Sequence, residues 1–435
     1  MQWEQPIQYA SISDIGFRRR NNQDSCVVYI ADEETWTNRG HLFIVADGMG
    51  GHAVGELASK MAVDTIPQSF LKSKEEEIGD ALGSSIQEAN TAIHKRGSMN
   101  KDFNRMGTTV VSLVLCPEGA ISGHVGDSRL YRIRDQRIEQ ITFDHSLQWE
   151  LARQGRLKLD EAFLQQSRHV ITRSLGPEGT VDVDIEGPLD VEPGDTFLAC
   201  TDGLTGHVND QEIGIIAREL PVGDACRLLV NLANLRGGSD NITVVIARAG
   251  AVPPALSDLD KPKMPWTRKL WWFAFLLTLV GMGVGGALIG LMRDRLFVEG
   301  IATSTVCGLI WVLLLFFRLK PKKVPEEDVA DTKPPWKPYR TASAKLTRKF
   351  LNDLAELESK LQKTGNEEGW SIDWSAHEEA FKACQETLEN KQYSKAVAAY
   401  AKALDILMAG VQRYRKQLDR QAKWGKNDEQ DQQQQ

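Results

Sequence analysis

The sequence predicts an α+β fold built in layers, continued by a membrane hairpin and a helical tail. Three observations carry that expectation. Short runs rich in Val, Ile and aromatic residues recur through the first 250 residues and end at Gly, Pro or Asp, as strands do. Most neighbouring runs lie too close for a helical crossover, so hairpins and antiparallel sheets follow. Further on, two apolar runs stand in succession, and about 20 apolar residues span a bilayer core as a helix.

In chain order the strand-like runs are SCVVYI (25–30), HLFIVA (41–46), TTVVSLVLC (108–116), AISGHVG (120–126), RLYRIR (129–134), DTFLAC (195–200) and ITVVIAR (242–248). Helical patterns cover Glu56–Phe70, Glu75–Lys95, Ser146–Gln154 and Ile213–Leu235, the last broken at PVG. Residues 1–250 thus read as one domain. Residues 251–265 carry four prolines without periodicity and read as a linker.

The apolar runs LWWFAFLLTLVGMGVGGALIGLM (270–292) and GIATSTVCGLIWVLLLFF (300–317) predict two transmembrane helices within 266–318, at about 270–292 and 297–317. Trp266, Trp271 and Trp272 suit an interfacial belt. Lys261, Lys263, Arg268 and Lys269 precede the pair, and Arg318, Lys320, Lys322 and Lys323 follow it. Only Arg293 and Arg295 lie between, so both termini are expected in the cytoplasm.

A second linker, 319–340, is rich in proline and charge. Residues 341–424 read as helical, and the segment around Ala396, Tyr400 and Ala403 resembles the hairpin of one tetratricopeptide repeat. One repeat is a weak signal, because stacking needs about three; plain helical-hairpin packing is the alternative. Residues 425–435 are expected to be disordered.

Composition excludes some classes. The net charge of -7 argues against a nucleic-acid binder. Six cysteines without CxxC spacing, behind an N-terminus lacking a signal peptide, point to reduced thiols rather than disulfides or structural zinc.

The chemistry lies in aspartates at the ends of apolar runs: Asp24, Asp47, Asp127, Asp202 and Asp240. Any one of them could be a turn or cap residue. Together they are costly unless something pairs with them, and their neighbours are mostly Gly, Ala, Ser and Thr. Several carboxylates with small neighbours suit a hard divalent cation. After Asp47, Gly48 would let the chain turn so that its own carbonyl reaches that cation.

The motifs GFRRRNNQD, FIVADGMGGHAVGELAS, MGTTVV, GHVGDSRLYRIR, TDGLTGHV and GGSDNITVV occur here in one order. That order resembles metal-dependent serine/threonine protein phosphatases of type 2C, the bacterial branch above all, from about Ser11 to Arg248. The resemblance implies a central sandwich of two antiparallel β-sheets flanked by helices, with two Mn2+ or Mg2+ ions at one end. It implies that Asp47 bridges the ions, Gly48 offers its carbonyl, and Asp202 and Asp240 complete one shell. Asp127 would help hold a third, looser ion beside Asp202. Arg19 would bind phosphate, and Asp24 would orient the attacking water. Water shared by two divalent ions loses a proton near neutral pH and can attack phosphorus in line, without a phosphoenzyme.

Two departures stand out. Gln23 occupies the place of the family's usual glutamate, which implies weaker binding of the second metal. Met49 stands where eukaryotic relatives carry a histidine, and His52 is either a proton donor or a local structural residue. His145, His169 and Arg173 are candidate contacts to a phosphoprotein or simply solvated, His124 reads as a core histidine, and Arg129, Arg132 and Arg134 as the outward face of an edge strand.

The expected function is a membrane-anchored protein phosphatase acting on phosphoserine and phosphothreonine, opposing serine/threonine kinases, with a tail that recruits a partner or assists oligomerisation. The alternatives are a weakly active or inactive phosphoprotein-binding scaffold and a phosphatase of small esters.

Overall fold

The computed structural model describes residues 7–50, 52–100, 103, 106–153, 170–250, 280 and 339–433. The chain divides into two compact units, Met1–Ser257 with Lys337–Gln435, and Asp258–Trp336. Apart from Val280, the second unit lies outside the described residues, and so do both expected membrane spans. Among the described residues no helix is long and apolar enough to cross a membrane.

The first unit opens with β1 (Gln8–Asp14), β2 (Asp24–Tyr29), α1 (Glu33–Asn38), β3 (His41–Met49), α2 (His52–Lys72) and α3 (Ile78–Ser98). It continues with β4 (Gly107–Thr108), β5 (Val110–Cys116), β6 (Gly119–Val125), β7 (Arg129–Arg134), β8 (Arg137–Gln140), α4 (Leu147–Arg153), β9 (Asp184–Leu189) and β10 (Thr196–Cys200). Helices α5 (Asp202–Thr205), α6 (Asp210–Glu219) and α7 (Val222–Leu235) lead to β11 (Ile242–Arg248). The chain returns as β12 (Arg340–Ser343), α8 (Arg348–Glu367), α9 (Trp374–Glu389) and α10 (Tyr393–Gln433).

Two antiparallel sheets result. One runs β1-β11-β10-β7-β8-β12; the other runs β2-β3-β5-β6-β9, with β4 on β3. Strand β3 shows why the fold is layered, since successive side chains point to opposite faces. Phe43 and Val45 pack between the sheets with Val111, Leu113, Phe197 and Val245. Leu42, Ile44 and Ala46 face the other way, into a core completed by α2 and α3. The first sheet is covered by α6 and α7 through Ile213, Ile216, Leu229 and Leu232.

That same outer core takes in Phe350, Leu354, Ala396, Val397, Tyr400 and Leu404 from α8 and α10. Helical spacing puts Ala396, Tyr400, Ala403, Leu404 and Leu407 on one buried stripe. The small and aromatic residues that suggest a repeat hairpin therefore seal the helical segment onto the domain. Strand β12 closes the edge of the sheet, with Arg340 opposite Gln140 and Ser343 opposite Arg137.

Strand β7 lies inside the sheet, between β10 and β8, rather than at an edge. Its arginines are paired. Arg129 grips buried Asp144 at 2.6 Å, Arg132 meets Glu139 at 2.6 Å and Arg134 meets buried Asp195 at 2.6 Å. The alternation of RLYRIR suggests a solvated face because its acceptors lie outside the strand itself, Glu139 on β8, Asp144 beyond β8 and Asp195 before β10.

Candidate active site

Asp24 opens β2 and stands directly opposite Asp47 of β3. Like charges facing one another across a ladder repel. Asp202 begins α5 just beyond β10, Asp240 precedes β11, and Asp127 sits in the turn from β6 to β7. Asp47, Asp127, Asp202 and Asp240 line a cleft of about 500 Å³ together with Arg19, Gln23 and Gly48. Residues from both sheets thus supply one site.

Local packing explains the placement. Gly48 pairs with Thr108 inside the strand, so it is not a turn residue as the sequence suggests. Glycine is required by close approach instead. A Cβ there would lie 2.0 Å from the carbonyl oxygen of Gly55, at the start of α2. The Asp47 carbonyl accepts from the Thr109 amide at 2.8 Å and the Thr108 hydroxyl at 2.8 Å, which fixes the strand end. On Asp24, Oδ2 accepts from Thr201 at 2.9 Å and from Thr243 at 2.7 Å. These two bonds tie the first sheet to the second.

Electrostatics follow from crowding. Burial pushes the Asp24 carboxyl up to about 7 despite the threonine hydrogen bonds, and the charges of Asp202 and Asp240 add to it. Asp47 is driven well above the usual carboxylate range by burial, then by the charges of Asp24, Asp202, Asp127 and Asp240. Asp127 is raised by burial, then by Asp202 and Asp144. Arg19 Nη2 donates to Asp240 Oδ2 at 2.7 Å, drawing one carboxylate aside.

The residues fit divalent cations. Asp24 Oδ1 and Asp127 Oδ1 are buried without a hydrogen-bond partner among the described residues. Hard oxygen donors with raised proton affinity are what Mn2+ or Mg2+ would displace protons from. A different trio, His124, His145 and Asp184, has ligand atoms all within 4.8 Å of one another. Its hydrogen bonds oppose metal binding. The Gly126 amide donates to His145 Nδ1 at 3.0 Å, so Nε2 carries the proton and donates to Asp184 at 3.1 Å. His145 is buried, not solvated, and braces the turn that carries Asp127. Arg173 adds a 3.0 Å bond to Asp184, while His169 lies outside the described residues.

A family model for protein phosphatase 2C matches residues 18–220. Protein phosphatase PhpP of Streptococcus pneumoniae is 35% identical over 246 residues, 55% of this chain and 96% of that protein. The solved serine/threonine phosphatase of S. agalactiae is 34% identical, with a TM-score of 0.51, over 56% of this chain and 99% of its own. The serine/threonine phosphatase PstP/Ppp of Mycobacterium tuberculosis is 32% identical, with a TM-score of 0.50, over 56% and 99%. The chain belongs to the protein phosphatase 2C family. It is a metal-dependent serine/threonine protein phosphatase.

The phosphatase site also uses residues that sequence reasoning misses. Asn241 accepts from the Gln23 amide at 2.8 Å and donates to the carbonyls of Ile15 at 2.9 Å and Asn21 at 3.0 Å. It thereby joins the arginine loop to Asp240. Thr201 and Thr243 position Asp24. The available signal was their adjacency to Asp202 and Asp240 in the strings CTDG and DNIT. His52 is the first residue of α2, and its side chain lies outside what is described.

Proposed function

We propose that the protein hydrolyses phosphoserine and phosphothreonine in proteins at this cleft, and does so from the cytoplasmic face of a membrane. The observation that carries the catalytic reading is the gathering of four aspartates and Arg19 around one cleft, with Asp24 opposite Asp47 behind it. Two Mn2+ or Mg2+ ions, and a third held more loosely, would supply Lewis-acid activation of water and neutralise phosphoryl charge.

The chain's own residues do the rest. Asp47 with the Gly48 carbonyl, Asp202 and Asp240 would hold the pair of ions, and Asp127 with Asp202 the looser one. Arg19, exposed at the mouth, exchanges its bond to Asp240 for a phosphoryl group, for which a guanidinium fork is suited. Asp24, fixed by two hydroxyl donors, keeps one carboxylate oxygen available to orient water or hold its proton. The test is release of phosphate from a phosphothreonine peptide with Mn2+ and with a chelator; no release under any metal would sink the reading.

Gln23 contributes an amide where a carboxylate would add charge. The Gln23→Glu variant is expected to reach half-maximal activity at a several-fold lower Mn2+ concentration, read from activation curves. An unchanged curve would remove Gln23 from the metal site.

Support for the anchor comes from the two uncharged runs and their Lys/Arg flanks. Anchoring raises the local concentration of the enzyme near membrane-bound kinases and their substrates. The full chain should stay in the membrane fraction after an alkaline wash; recovery in the supernatant would refute the anchor.

A further inference from the structure

The helix α10 does more than cover the outer core. Near its start the Ser394 hydroxyl donates to Glu219 at 2.5 Å, and further along Asp405 accepts from Asn231 at 3.1 Å. Beyond them, Arg415 reaches the loop that carries Arg19. Its guanidinium lies 3.9 Å over the Phe17 ring, and its Nη2 donates to the Phe17 carbonyl. Phe17 is two residues from Arg19.

The other side of that loop is pinned as well. The amides of Phe17 and Arg18 both donate to the Gly238 carbonyl, at 2.8 and 3.0 Å, and Gly238 stands two residues before Asp240. The Phe17–Arg18 peptide is therefore gripped from one side by the Asp240 loop and from the other by α10. Arg18, Arg19 and Arg20 themselves are exposed. What orients Arg19 is thus the backbone two residues earlier, together with its bond to Asp240.

We propose that Arg415 is a positioning residue of the active site: through Phe17 it fixes the arginine loop, so that α10 sets the affinity of the cleft for phosphate. The protein phosphatase 2C family model matches residues 18–220, a range that holds Arg19 but not α10. The device therefore lies partly outside the matched range. The inference rests on the reading of Arg19 as the phosphate ligand.

The experiment uses the full chain with Mn2+. Arg415→Ala should raise both KM for a phosphothreonine peptide and the inhibition constant of inorganic phosphate about 3- to 10-fold, with kcat changed less than about twofold, as displacement of a positioning group does. Amide exchange at Phe17 and Arg18 should quicken. Arg415→Lys, which keeps a donor but loses the planar stack, should give an intermediate shift and serves if the alanine variant fails to fold. In an Arg19→Ala background, Arg415→Ala should add no further change. Unaltered KM and phosphate inhibition in both folded variants overturn the proposal, as does an effect that persists undiminished without Arg19. If Arg19→Ala alone changes neither constant, the reading of Arg19 fails and the proposal falls with it.

Discussion

Replacing Asp47 with asparagine should abolish metal-dependent hydrolysis while making the metal-free protein more stable. The two effects have one cause. Asp47 sits opposite Asp24 and within reach of the charges of Asp202, Asp127 and Asp240, and burial already disfavours its ionised form. An amide of the same shape removes one carboxylate from that crowd, which should stabilise the metal-free fold by on the order of 2 kcal/mol. Loss of a carboxylate that would help hold the ions should lower kcat at least about 10³-fold at saturating Mn2+. Paired melting and kinetic measurements decide the matter. A variant that is inactive and also less stable without metal would indicate that Asp47 has a structural duty instead.

The metal-free protein should lose stability as pH rises from 4 to 8. Folding raises the Asp24 carboxyl from its ordinary 3.8 to about 7, so the folded state holds the proton more tightly than the unfolded chain. The sign is then fixed. The stability contribution is fully present below the unfolded value and is lost as pH rises through the folded one. A shift of this size corresponds to on the order of 4 kcal/mol, and Asp47 and Asp127 push in the same direction. Saturating Mn2+ should flatten or reverse the trend, because a ligand bound to the native state adds stability by mass action. Thermal melts at several pH values, with chelator and with Mn2+, supply the check. A chelated protein that becomes more stable between pH 5 and 8 would rule out a repelling acidic cluster.

Much of the site was legible because each aspartate stands at the end of an apolar run and the runs occur in a distinctive order. The partners of those aspartates were not. Thr201 and Thr243 reach Asp24 across 177 and 219 positions of sequence, a pairing that only the sheet topology creates. Asp195 lies 61 positions from Arg134, while Glu139 and Asp144, 7 and 15 positions from their arginines, stand on or beyond the next strand, so the alternation of β7 taken alone suggests a solvated edge. The two-sheet core was foreseeable from strands such as β3, where apolar residues run without interruption and serve two faces. Strand β12 was not, since RTAS has neither apolar alternation nor β-branched density. Its conformation is imposed by the open edge of β8, as β-forming tendency depends on context. Nor could the helical stripe of α10 reveal which surface it covers.

Strand β12 has a topological consequence. The unit that holds β11 also holds Arg340, where the chain is stitched to β8 and then locked by three helices. Residues on both flanks of the stretch from 251 to 338 are therefore held in one unit, β11 before it and β12 after it. A single proteolytic nick anywhere along it would yield two fragments that remain associated, and their dissociation would require peeling a strand from a sheet and a helix from a core.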